Sequence, residues 1–265
     1  MGFVHVFQAT GKCTRLHGAL RLNPWACSRA GRLVPVPKRR YGRVMSLLGD
    51  FTAHYSSSEA WFYDRFIAPA VMDMGEKLDD DYLRFLPRGA RVLEVGCGGG
   101  QFARSQLEKR GDLRWTGLDV SDAQIARAMR RNANHANADF VVGDALDLPF
   151  EGECFDALVS IASIKHWSDQ AKGLAECARV LRSGGQLLLV EADRGCRLED
   201  ARSFVARWRL PDVVRPLNLM LFRTLVAGRS LDLDDARALM TVLPLASWEV
   251  SRLAGTPAIL MRGER

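Results

Sequence analysis

The 265-residue sequence has no uninterrupted apolar run of the roughly 18 residues that cross a bilayer. The closest, residues 217–227, is broken by Asn218 and Arg223. That count excludes a transmembrane helix. Cysteine pairs are missing too: the six cysteines (13, 27, 97, 154, 177, 196) form no C-x-x-C and have no histidine at zinc-ligand spacing. They read as reduced thiols, so neither a disulfide scaffold nor a metal site is expected, and a reducing, cytoplasmic compartment follows. Acidic residues are absent from residues 1–44, which carry nine Lys or Arg. The formal charge of +6, which by itself suggests an anionic partner, therefore belongs to this extension: residues 45–265 hold 28 basic against 31 acidic side chains. The extension has no signal-peptide core. It is open to two readings, an organelle transit peptide or a disordered tail ahead of an internal start at Met45. With 48 % hydrophobic and 26 % charged residues, the rest can bury a sizeable core, which excludes a wholly disordered chain.

What is present has a clear rhythm. Ser56-x-x-Glu59 fits a capping box, and apolar positions at Val71, Met74, Leu78, Tyr82 and Phe85 predict a helix over about 70–86. Residues 45–89 thus form N-terminal helices, closed by Pro87-Arg88-Gly89. From 90 onward short apolar runs at 91–95, 113–118, 140–142, 157–160 and 186–190 alternate with helical segments. Ser121-x-x-Gln124 reads as a second capping box, and Ser183-Gly184-Gly185 as the end of a helix over 169–181. Such alternation predicts an α/β fold, a mostly parallel sheet covered on both faces. Residues 194–247 break the rhythm as a helical insert, and runs at 248–253 and 257–262 predict a terminal antiparallel hairpin.

The run Glu94-Val95-Gly96-Cys97-Gly98-Gly99-Gly100 leaves the first strand. Glycine belongs there because the backbone must turn sharply and approach a ligand. The dinucleotide fingerprint would need a third glycine at 101, where Gln101 stands. Asp119 ends the second strand, placed to accept from both ribose hydroxyls, and Asp144 follows the third, placed to accept from an adenine amine. All three features fall on the carboxyl rim of the sheet, where open parallel sheets bind ligands.

Residues 91–193 resemble the core of class I S-adenosylmethionine-dependent methyltransferases, closest to the ubiquinone/menaquinone and small-molecule group. The resemblance is carried by Glu94 to Gly100, Asp119, Gly143-Asp144-Ala145, Leu148-Pro149-Phe150, Phe155-Asp156 and the stretch Ala178 to Gly185. It implies a Rossmann-like, doubly wound, seven-stranded sheet with S-adenosyl-L-methionine as cofactor. It also assigns Gly96, Cys97 and Gly98 to the methionine end and Glu94 to support of that loop. Asp119 goes to the ribose, Val120, Asp144 and Ala145 to the adenine, and Ser160 beneath the sulfonium. Tyr55 either covers the methionine carboxylate or packs as an ordinary aromatic. No N-P-P-Y or D-P-P-Y follows the fourth strand, which speaks against methylation of a nucleobase amine.

Methyl transfer is an in-line displacement that needs a base only when the acceptor arrives protonated. His166 is the one histidine expected on the rim, and it either takes that proton or packs beside Trp167. In the insert, Trp208, Leu217, Leu219, Met220, Leu221, Phe222, Leu225 and Val226 either line an apolar acceptor pocket or pack on the core. Eight arginines (194, 197, 202, 207, 209, 215, 223, 229) either hold an acidic group or face solvent. These readings favour transfer to a small, amphipathic or lipid-like acceptor. RNA or protein methylation, a nicotinamide oxidoreductase and a non-catalytic cofactor-binding protein are the alternatives.

Overall fold

A computed structural model describes residues 63–265. Tyr55, His54, the Ser56–Glu59 box and the basic extension lie outside the described residues. A π-turn at Tyr63–Ile67 leads into α1 (Ala68–Asp81), where Pro69 stands at the first turn. Proline is tolerated there because the N–H it lacks would have no partner in the helix. The chain then runs β1 (Arg91–Val95), α2 (Gln101–Lys109), β2 (Arg114–Asp119), α3 (Asp122–Arg131), β3 (Ala138–Val142) and β4 (Phe155–Ile161). It continues with α4 (Gln170–Val180), β5 (Leu181–Ala192), α5 (Leu198–Ala206), α6 (Arg215–Leu221), α7 (Leu233–Thr241), β6 (Ser247–Leu253) and β7 (Ala258–Glu264).

The seven strands lie in the order β3-β2-β1-β4-β5-β7-β6. β1 to β5 pair in parallel, and β7 runs antiparallel between β5 and β6. The sheet is thus the expected Rossmann-like, doubly wound one. Alternate residues of each strand feed two cores. Val92, Trp115, Phe140, Ala157 and Leu188 pack with α1, α2, α3 and α5 on one face, and Leu93, Leu118, Leu158, Leu187 and Met261 pack with α4 and α7 on the other. Burial on both faces is what makes these strands continuously apolar. No described helix is long and apolar enough to cross a membrane.

Two local expectations are corrected. Gly184 (φ +74°) does not cap a helix: α4 ends at Val180, Leu181 is already extended, and the glycine sits inside the irregular start of β5. The second capping box is only half formed. Ser121 Oγ accepts from the Gln124 N–H at 3.4 Å, but the Ser121 N–H goes to Asp119 Oδ1 at 2.9 Å. Among the described cysteines, 97, 177 and 196 are buried free thiols.

In the insert, Trp208 and Phe222 are core residues, packed with Phe204 at ring-centroid distances of 5.0 to 6.3 Å. Leu219 and Val226 pack against the same core, while Leu217 and Met220 face outward. Half of the eight arginines are in ion pairs. Arg194 meets Asp232 and Asp235, Arg207 meets Asp73, Arg197 meets Glu199, and Arg215 meets Asp212.

Candidate functional site

The sheet reverses its winding between β1 and β4, and the loops leaving these strands meet there. Gly96, Gly98 and Gly100 take φ of +77°, +50° and +70°, the left-handed region that costs other residues about 1–2 kcal/mol. The loop is held from one side by β2: Gly96 and Cys97 donate to the Leu118 carbonyl at 2.7 and 3.0 Å. Gly98 N–H donates to Asp119 Oδ2 at 2.9 Å. Asp119 thus ties the glycine loop to the start of α3 with one carboxylate, each oxygen keeping a lone pair for a ligand hydroxyl. Burial holds its carboxyl above the usual range despite the two N–H donors.

The two leading glycines have different surroundings. A Cβ on Gly96 would fall 2.1 Å from Ser163 Oγ, a residue of the turn after β4, whereas a Cβ on Gly98 would meet nothing within 4 Å. Protein fills the space at Gly96 and leaves it open at Gly98. Val120, at the exit of β2, is 54 % exposed, an apolar surface beside that opening. Open space, an apolar wall and a carboxylate on one rim suit a nucleoside cofactor.

Beneath the loop, buried Glu94 accepts from Trp115 Nε1 at 3.0 Å. Burial pushes its carboxyl up to about 8, so it is neutral at pH 7. Cys97 is buried, and burial raises its thiol well above the ordinary value, which leaves it unreactive. Ser160 is fully buried and its Oγ donates to the Val95 carbonyl at 2.8 Å. That hydroxyl stitches the end of β4 to β1. Asp144 is exposed beyond β3, its Oδ1 accepting from Leu146 N–H at 2.9 Å. Ala145 is buried in the same cluster as Leu118 and Leu148.

The turn after β4 carries His166. Ile164–His166 forms a single 3-10 turn, and the imidazole is partly buried. Burial, with Lys165 next to it, lowers the pKa of His166 to about 4, so its ring is neutral at pH 7 with a lone pair to accept a proton. The same turn holds two residues that the sequence left without a role. Ser163 contacts Gly96 and accepts from Trp167 Nε1 at 3.2 Å, and Lys165 pairs with Glu191. Their partners are distant in sequence, so local pattern carried no signal. A separate cavity of about 130 Å³ is lined by Arg91, Arg114, Trp115 and Asn137. It lies at the amino ends of the strands, opposite the rim.

Residues 93–189 match the sequence profile of a family described as a methyltransferase domain. An O-methyltransferase of Aspergillus nomiae is 36 % identical over 129 residues, covering 47 % of this chain and 54 % of that protein. The fatty-acid O-methyltransferase of Mycolicibacterium smegmatis is 33 % identical over 172 residues, covering 65 % and 57 %. The chain thus spans little more than half the length of these curated relatives. The crystal structure of a SAM-dependent methyltransferase from Aquifex aeolicus superposes with a TM-score of 0.58 at 14 % identity, over 79 % of this chain and 98 % of that one.

Proposed function

We propose that this chain, whose residues 93–189 are a class I S-adenosylmethionine-dependent methyltransferase domain, methylates an oxygen of a small amphipathic or lipid-like acceptor. The observation that carries this reading is the pairing of the Gly98–Asp119 bond with open space above Gly98 at the point where the sheet reverses. The oxygen acceptor is inferred from the similarity to proteins named O-methyltransferases, one of them acting on fatty acids.

Asp119 accepts from the ribose hydroxyls, Val120 packs against the base, and Asp144 accepts from the amine at its far edge. Gly96 and Gly98 allow the backbone to lie against the methionine portion. S-adenosylmethionine supplies a methyl group activated by a sulfonium. The protein's share of the displacement is alignment of acceptor and methyl. An acceptor carboxylate needs no base. An acceptor hydroxyl gives its proton to the neutral imidazole of His166. RNA is the weaker reading, because residues 45–265 are net acidic and half of the insert arginines are paired.

The test is incubation with S-adenosylmethionine and a panel of hydroxy- and carboxy-lipids, read by mass spectrometry as a gain of one CH2. Retention of S-adenosylhomocysteine with no product from any lipid, alongside methylation of RNA, would replace the acceptor class. Absence of any thermal shift with S-adenosylhomocysteine would reject the cofactor site itself.

A further inference from the structure

A buried ion pair anchors the turn that bears His166. Lys165 Nζ lies 2.9 Å from Glu191 Oε1, and the two side chains are 9 % and 0 % exposed. Glu191 accepts at both oxygens: the Lys165 backbone N–H reaches Oε2 at 3.1 Å, and the Ala192 N–H reaches Oε1 at 2.8 Å. Lys165 Nζ also donates to the Ala162 carbonyl. Ala162 has φ +55°, a left-handed conformation unusual for alanine, and its N–H is held by the Val190 carbonyl at 2.7 Å. Both the strained residue and the charged one are therefore tied to the end of β5.

Removing two charges from water is costly, and apolar replacement of such a pair is commonly neutral or stabilising. Stability therefore gives no reason for this pair, but its position does. Within four residues the turn touches the glycine loop through Ser163, is bolted to β5 through Lys165, and carries His166 beside that bolt.

We propose that Lys165 and Glu191 are positioning residues, whose ion pair fixes the 163–167 turn so that His166 faces the acceptor while Ser163 braces the glycine loop. This rests on the reading of the rim as a methyl-transfer site. The charged groups that reach His166 are Lys165, which disfavours its protonation, and Glu191, which favours it.

The test uses the full chain carrying Lys165→Met with Glu191→Leu, and separately Glu191→Gln. The apolar double variant is expected to keep its melting temperature within a few degrees and its S-adenosylhomocysteine affinity within about twofold, while kcat falls by roughly tenfold or more, the scale for a misplaced reacting group. The His166 imidazole, followed by proton NMR and assigned with His166→Asn, should titrate higher in the double variant and lower in Glu191→Gln. A pair that only holds the fold together would lower the melting temperature along with kcat, whereas a positioning pair lowers kcat alone. A folded double variant with wild-type kcat would overturn the proposal. If the double variant does not fold, Glu191→Gln decides by the same two readouts. Should the wild-type chain methylate nothing, the NMR shifts still report on the pair, and the failure belongs to the functional reading.

Discussion

Replacing Gly96 with alanine should damage the protein in two separable ways. The residue sits at φ +77°, so any side chain pays the left-handed penalty of about 1–2 kcal/mol. The new methyl would also stand 2.1 Å from Ser163 Oγ and 2.5 Å from Ser163 Cβ, with the Ser163 Cα at an ordinary 3.9 Å. Overpacking of that kind costs about 1–3 kcal/mol, which brings the expected loss to about 2–5 kcal/mol. Ser163→Gly removes both clashing atoms. Alone it forfeits the bond from Trp167 Nε1 and adds unfolded-state freedom, at about 1 kcal/mol for the first and about 0.5–1 for the second. The double variant should then be more stable than the sum of the singles by about 1–3 kcal/mol, the steric part alone. Gly89→Ala is the control, since it has φ +74° but nothing within 4 Å of its Cβ, and should lose only about 1–2 kcal/mol. Urea unfolding with a common m-value measures all four proteins. A coupling energy within about 0.5 kcal/mol of zero, the level for independent sites, would refute the contact.

Glu94 holds its proton up to about pH 8 in the folded chain against an ordinary value of 4.5. Its contribution to stability is therefore complete below pH 4.5 and lost as pH rises through 8. Glu94→Gln should flatten that loss in urea unfolding at pH 5 and pH 8.5, and an unchanged pH dependence would refute it. His166 acts with the opposite sign: its value of about 4 lies below the ordinary 6.5, so stability should fall between pH 6.5 and 4, and His166→Asn should remove that part of the acid loss. Asp119→Ala should weaken S-adenosylhomocysteine binding by about 1–3 kcal/mol in calorimetry, the scale for hydrogen bonds to a charged group. Wild-type affinity would contradict its placement. Phe222→Ala should cost about 3–5 kcal/mol of stability, as for a buried aromatic, and leave acceptor preference unchanged; a folded variant with altered preference would return Phe222 to the acceptor pocket.

Strand positions and the glycine run were legible because each is a local pattern, an apolar run buried on both faces or a cluster of small residues at a strand exit. The Ser163–Gly96 contact was not, since it depends on strand order bringing together loops 67 residues apart in sequence. The hydrogen bond of Ser160 was not legible for a related reason. Its position at the end of β4 was right, but only the pairing of β4 with β1 shows that its hydroxyl is spent on Val95. In the insert, an apolar sequence such as Leu217 to Val226 is equally suited to a core and to a pocket. The aromatic contacts of Trp208 and Phe222 with Phe204 decide for the core at those two positions.

The insertion of β7 between β5 and β6 has a consequence for how the sheet is assembled during synthesis. β6 leaves the ribosome before β7, yet its only ladder in the described sheet is to β7. Until β7 arrives, the twelve-residue β5 exposes an open hydrogen-bonding edge, the kind of surface on which chains aggregate. One short strand, made late, closes that edge and gives its predecessor a place to dock. Released chains truncated between residues 253 and 258 should therefore be held by chaperones far more than the 265-residue chain.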